Sequence, residues 1–299
     1  MKMHHLRDLL AIVERGSIRA AARHLGIAQP ALSRTIRELE KEIGVPLFER
    51  RAKGSFLTPM GHIFARRANT AFTELRRATE EIQQLQGQVH GTVIVGVSSM
   101  AMVALMPSVW TPFRKRYPQI QLQVIESVYP GIELRLKEGV IDLYVGPAPE
   151  SGPASGLQME KLFDNTRAIF ARKGHPLANA TSLAELAGAD WVTTSITNKA
   201  EMEFDDAFAR YGLAAPKLAL SGQTALTWIC AVANSDFLIL TARQWAEVPF
   251  AKTVLQMIKV RETLAGPPIV LMKRAEIPLT PAAEHLSDLL HRAAIPLAH

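Results

Sequence analysis

The chain has 299 residues, 48% of them apolar and 21% charged, which is enough to build cores in two or three folded units and excludes a disordered chain. The net charge of +6 is confined to one end: residues 1–90 hold fifteen Lys/Arg against nine Asp/Glu, and residues 91–299 hold nineteen of each sign. Such asymmetry points to a polyanion-binding module joined to a neutral one.

The N-terminal stretch MKMHHLRDLLAIVERGS carries charges within its apolar segment and has no cleavage site, so it reads as a helix and not as a signal peptide. Leu6, Leu9, Leu10 and Val13 form its apolar stripe and Gly16 its stop. The adjacent His4 and His5 do not face one point on a helix, and a solvated surface is expected for them in place of a metal pair.

From Ser17 to Gly44 the spacing predicts two short helices with a tight turn. Ser17 can cap the first, Ile18, Ala21, Ala22 and Leu25 recur at helical spacing, and Gly26 supplies the φ > 0 stop. Pro30 stands where the second helix begins, and its apolar residues Leu32, Ile36, Leu39 and Ile43 run to a second stop at Gly44. Gln29, Ser33, Arg34, Arg37 and Lys41 fall on the opposite face. That division is what a helix-turn-helix needs to aim its second helix into a DNA major groove.

Val45 to Thr58 reads as a β-hairpin, with Leu47 and Phe48 anchoring one strand, Phe56 and Leu57 the other, and Lys53-Gly54 at the tip. Arg50, Arg51 and Lys53 are a solubilising charge run or, beside a helix-turn-helix, phosphate contacts. Thr58-Pro59 then opens a helix without a breaker before Gly87. Phe64, Ala68, Ala71, Leu75, Ala78, Ile82 and Leu85 repeat at 4-3-4-3-4-3 spacing, a heptad seam expected to pair two copies of the chain. Burial of this helix against its own chain is the alternative; Arg66, Arg67, Glu74, Arg77, Glu81 and Gln84 argue against it.

Beyond Gly91, β-branched strands alternate with helices, predicting a parallel α/β sheet. Strands are expected at 92–97, 121–127, 141–145, near Arg167, at 191–194, 217–220, 237–241 and 269–272, the last after an interruption at Pro267 and Pro268. Helices are expected from Ser98-Ser99 through Met106, and at 132–137, 182–186, 199–211 and 224–232. Thr280-Pro281 caps a final one. Cys230, the lone cysteine, lies in the apolar run Trp228 to Val232 and is expected to be a buried small hydrophobe, not a reactive thiol. No apolar run approaches a membrane span, and a cytoplasmic location is the expectation.

The pattern GSIRAAARHLGIAQPALSRTIRELEKEIGVPLFERR, followed by LTPMG, resembles the LysR-type transcriptional regulators. EGVIDLYVG at 138–146 and HPLANATSLAELAGADWV at 175–192 agree with that resemblance, which extends over essentially the whole length. It implies a winged helix-turn-helix at 1–58, a dimerising linker helix at 59–90, and an α/β effector domain at 91–299 built like the two-lobed periplasmic binding proteins. Lobe I would take about 91–163 and 267–299, and lobe II about 164–266. It also implies a homotetramer that bends promoter DNA, with RNA polymerase as a further partner. One departure is Ala28, where the family usually has Ser or Thr; loss of that cap costs about 1 kcal/mol.

On this reading Gln29 and Arg34 read base edges, while Ser33, Arg37, Arg50, Arg51 and Lys53 hold phosphates beside the helix entry at Pro30. A small organic anion is expected at the carboxyl ends of the strands. Its candidate contacts are Ser98, Ser99, Met100, Val128, Tyr129 and Pro147 in lobe I, and Thr194, Ser195, Gln223 and Thr224 in lobe II. A two-lobed solute-binding protein without promoter control is the alternative, disfavoured by the basic first third and the lack of a signal peptide. An enzyme is not expected: Gly96-Val97-Ser98-Ser99-Met100 lacks the second glycine of a nucleophile elbow. No metal-ligand spacing or cofactor loop stands out.

Overall fold

The computed structural model describes residues 1–51, 54–87, 90–194 and 199–298; the side chains of residues 50, 51, 54 and 199–203 are outside that description. Three helices open the chain: α1 (Met3–Arg15), α2 (Ile18–Leu25) and α3 (Gln29–Ile43). Their ends follow the expected chemistry. Ser17 Oγ accepts the Ala20 N–H at 3.2 Å, and Gly16, Gly26 and Gly44 close each helix at positive φ. Leu6, Leu9, Ile12, Ala21, Ala22, Leu32, Ile36 and Leu39 form one small buried core. His5 belongs with that buried set, its Nδ1 4.0 Å from Glu42, so the expectation of a solvated pair holds for His4 alone.

The wing is a two-stranded antiparallel hairpin of β1 (Phe48–Arg51) and β2 (Gly54–Leu57). Leu47 is fully buried, and Phe48 and Leu57 pack on the core, but Phe56 is exposed and does not anchor its strand. Alternation explains this, since neighbours along a strand point to opposite faces. Thr58 joins wing to linker: its hydroxyl donates to Pro46 O at 2.8 Å and accepts the Gly61 N–H at 2.9 Å. A Cβ on Gly61 would lie 2.0 Å from Leu47 O, so only glycine fits there.

The linker helix α4 spans Pro59–Leu85. The heptad seam divides. Phe64 and Ala68 turn inward to the winged core, whereas Ala71, Leu75, Ala78, Ile82 and Leu85 are exposed. The polar face is the one that packs against the rest of the chain, contrary to expectation. Arg77 Nη2 lies 2.5 Å from Asp142 Oδ1, Arg274 Nη1 lies 2.5 Å from Glu74 Oε1, and Gln84 Oε1 accepts the Ala282 N–H at 3.1 Å. Paired charges can be buried where single ones cannot, and the partners lie too far along the chain for a helical wheel to reveal. Burial pushes the Asp142 carboxyl up to about 7, a rise that the hydrogen bond from the Ile94 N–H and the Arg76 charge oppose.

The effector unit follows as β3 (Gly91–Val97), α5 (Ser99–Ala104), α6 (Met106–Arg116), β4 (Ile120–Glu126), α7 (Glu133–Lys137), β5 (Leu143–Pro147) and β6 (Leu157–Arg172). It continues with β7 (Asp190–Thr193), α8 (Lys199–Ala209), β8 (Lys217–Ser221), α9 (Ala225–Ala233), β9 (Leu238–Ala242), α10 (Pro249–Val254), β10 (Leu255–Ile258), β11 (Ala265–Arg274) and α11 (Pro281–Ala294). Among the described residues one sheet runs β4-β3-β5-β11-β6-β9-β7-β8, with β10 beside β6.

The sheet is mixed, not all parallel. Its flanks are parallel, but β6, β10 and β11 run antiparallel to their neighbours. Two strands that cross between lobes in opposite directions require this. β6 is sixteen residues long and begins ten before Arg167. Pro267 and Pro268 lie inside β11, at a register shift between Gly266 and Ile269. Proline has no N–H to give a ladder, so the bulge accommodates the pair. Val93, Val95 and Val97 face one core that extends under both lobes; Ile94 and Tyr144 face a second on the other side of lobe I. A third core, in lobe II, centres on Trp191, edge-on to Phe204 and Phe208 at 5.6 and 5.5 Å. Cys230 is exposed, correcting the expectation. On α9, Trp228, Ile229 and Val232 take the buried stripe and leave position 230 outside.

Candidate nucleic-acid interface and effector cleft

The second helix of the helix-turn-helix, α3, is presented by its own core. Leu32, Ile36 and Leu39 are buried at four- and three-residue spacing. Gln29, Pro30, Arg34, Arg37 and Lys41 are consequently exposed and Ser33 half-buried. Pro30, Arg34, Arg37, Glu38 and Lys41 border one shallow recess of about 320 Å³. Ala28 stands at the N-cap without a side-chain bond, as its methyl group dictates.

Glu40, from the buried side of α3, was not singled out in the sequence. Its Oε1 accepts the N–H groups of Leu47 at 2.7 Å and Phe48 at 3.0 Å, fastening the wing to the recognition helix. A carboxylate eight residues before a strand is a signal that could have marked it. Arg50 and Arg51 lie in β1, which pairs Arg50 with Ser55 and Arg51 with Gly54; their side chains, and Lys53 altogether, are outside the described residues.

The lobe I candidates gather at one sheet edge. The Ser98 N–H donates to Val145 O and the Ser127 N–H to Val97 O, both at 2.9 Å, so the carboxyl ends of β3, β4 and β5 lie side by side. Ser98 itself is buried and its Oγ accepts the Ala101 N–H at 3.2 Å, capping its own helix. Ser99 is half-buried, and Met100 belongs to the core shared by the lobes. Val128 is exposed, not a wall. Tyr129 packs with Tyr144 on the opposite face of the sheet from Met100. Burial, followed by the Glu133 carboxylate, pushes the Tyr129 phenol up to about 12, so it stays protonated. Pro147 ends β5, its carbonyl accepting the Tyr144 O–H at 3.3 Å.

In lobe II the Gly222 N–H donates to Thr193 O at 2.9 Å, which brings Thr194, Gln223 and Thr224 to one edge. Thr194 and Gln223 are exposed; Thr224 caps α9 by accepting the Thr227 N–H at 3.2 Å. Ser195 lies outside the described residues.

The two edges meet because α5, which follows β3, packs against the turn Arg243–Glu247, which follows β9. At that junction sit Trp228 and Trp245, perpendicular at 4.8 Å and almost wholly buried, neither of them among the contacts expected from the sequence. Neither indole N–H finds a hydrogen-bond partner among the described residues. Their only sequence signal is that each follows a carboxyl-edge turn within four residues. The described residues contain no group of three His, Cys, Asp or Glu placed to hold a metal, and no helix long and apolar enough to cross a membrane.

Comparison with known proteins fits this arrangement. Residues 3–62 match the model of the bacterial regulatory helix-turn-helix protein, lysR family, and residues 86–295 that of the LysR substrate binding domain. An uncharacterized HTH-type transcriptional regulator of Bacillus subtilis (strain 168), YybE, is 31% identical over 76% of this chain and 77% of its own. The regulator GbpR of Azospirillum brasilense is 25% identical over 98% and 87%. The crystal structure of CbnR, a LysR family transcriptional regulator, superposes with a TM-score of 0.74 at 18% identity, covering 98% of this chain and 99% of the other. Full-length CbnR complexed with its target DNA gives 0.73, also at 18%, with 98% and 100% covered. A basic winged unit, a long linker helix and a two-lobed α/β unit, matched by both family models, place this chain among the LysR-type transcriptional regulators.

Proposed function

We propose that the protein regulates a promoter by reading it with α3 and bending it as a dimer of dimers, under control of a small organic anion. Residues 1–58 act as the DNA-binding unit, 59–90 as the linker, and 91–299 as the effector unit, with lobe I at about 91–163 and 267–299 and lobe II at about 164–266. Gln29 and Arg34 read base edges. Ser33, Arg37, Arg50, Arg51 and Lys53 hold phosphates beside Pro30. The observation that carries this is the outward presentation of Gln29, Arg34 and Arg37 by a helix whose other face is buried. Self-association runs through Ala71, Leu75, Ala78, Ile82 and Leu85, supported by their exposure on a helix of 27 residues. A promoter-binding role implies a cytoplasmic location, with RNA polymerase as a further partner.

The anion would meet Ser99, Pro147, Thr194, Gln223 and Thr224 across the cleft, supported by the meeting of the two carboxyl edges. Closure of the lobes would act by population shift. The test is a gel-shift titration on the upstream region at two salt concentrations. Arg34→Ala is expected to lose about 1–3 kcal/mol of discrimination between related operators. Lys53→Ala is expected to weaken all operators alike and lower the salt slope by about 1. Unchanged preference in Arg34→Ala, or binding indifferent to salt, would sink the assignment.

A further inference from the structure

The contact between α4 and lobe I is built from charge. Arg77 and Arg274 both lie against Gly139: a Cβ there would be 2.8 Å from Arg274 Nη1 and 3.0 Å from Arg77 Nη1. Two guanidinium groups so close repel unless acids stand between them. Glu74 takes both, at 3.3 Å from Arg77 and 2.5 Å from Arg274, and Asp142 takes the other arm of Arg77 at 2.5 Å. The second oxygen of Asp142 accepts the Ile94 N–H at 2.7 Å. Arg77, Asp142 and Arg274 are each buried. Glu138, beside Gly139, faces Arg66 at 4.0 Å. Three positions of the stretch EGVIDLYVG, namely 138, 139 and 142, thus serve this contact, a use that neither DNA reading nor ligand binding assigns to them.

Buried ion pairs hold geometry strongly but add little net stability, because desolvation consumes most of the attraction. A joint made this way keeps its docked and undocked arrangements close in free energy, as a two-state element requires. Its anchors also reach the effector cleft. Asp142 lies next to the start of β5, whose far end is Pro147 at the cleft, and Arg274 ends β11, which enters from lobe II at Ala265.

We propose that Glu74, Arg77, Asp142 and Arg274 form a releasable ionic dock that sets the angle at which the DNA-binding unit leaves the effector unit. Its effect on DNA rests on the promoter reading above; the dock itself does not. The test is amide hydrogen exchange on the full chain, followed by gel-shift measurement of DNA bending. Glu74→Arg sets three cations against each other and should speed exchange across residues 66–85 by about tenfold. Exchange in β3 and β5 should stay unchanged, because Asp142 still holds Ile94. Combining Glu74→Arg with Arg274→Glu re-forms the pairing, and should return exchange to within about twofold of the wild type and restore its DNA bend. Wild-type exchange in Glu74→Arg, a reversed pair no better than the single variant, or equal acceleration in β3 and β5 would each overturn the dock. If the exchange pattern holds and wild-type protein does not bind the upstream region, the promoter reading falls and the dock stands.

Discussion

In the winged unit, the side-chain hydrogen bonds that set the helix ends and the wing join residues close in sequence. Ser17 caps three residues ahead, Glu40 reaches seven and eight ahead, and Thr58 reaches back to Pro46. In the effector unit the same role falls to distant partners: Asn165 pairs with Gly266, and Ile94 is held by Asp142. The helix ends and wing of the DNA-reading unit are thus set within short segments. A ligand cleft made from distant contacts depends on the whole sheet, and can change shape when its strands shift.

If the two regions are that different, damage to one should leave the other standing. Trp191→Ala empties a fully buried site between Phe204 and Phe208 and should cost about 3–5 kcal/mol. Calorimetry should show the effector transition falling while the winged transition keeps its temperature; a common fall would erase the distinction. Glu40→Ala removes a charged acceptor from two wing N–H groups and should cost about 2 kcal/mol. It should lower DNA affinity without altering preference among operators, and Glu40→Gln should recover part of the loss. An altered preference would mean that the wing reads sequence. The smallest effect sharpens the contrast instead. Ala28→Ser supplies the missing cap of α3 and should raise only the winged transition, by about 1 kcal/mol; no gain would show the N-terminus of α3 satisfied by other means.

What could be read from the sequence follows the same line. Ser17, Gly26, Gly44 and Thr58 marked their helix ends because caps are local chemistry, and Leu32, Ile36 and Leu39 marked a face because burial there is periodic. The polar face of α4 ran against expectation, since Arg77 is buried and Glu74 half-buried against partners 65 and 200 positions away. Phe64 and Ala68 continued the heptad on paper but meet the winged core first. Pro267 and Pro268 suggested a break because the sequence does not reveal a bulge. At the cleft, the edge residues were legible as strand ends, whereas the Trp228–Trp245 junction needed the two lobes to be brought together.

The pairing of Asn165 with Gly266 and of Thr166 with Ala265 puts the entrance and exit of lobe II side by side on neighbouring strands. Lobe II is therefore an insertion with adjoining ends, grafted into a lobe that the C-terminal helix α11 completes against α6. A segment so joined can be exchanged between relatives as a cassette, without redrawing the path of the linker or the helix that faces DNA. Ligand repertoire and operator choice can then diversify on separate clocks, one by replacing the insert and the other by substitution on α3.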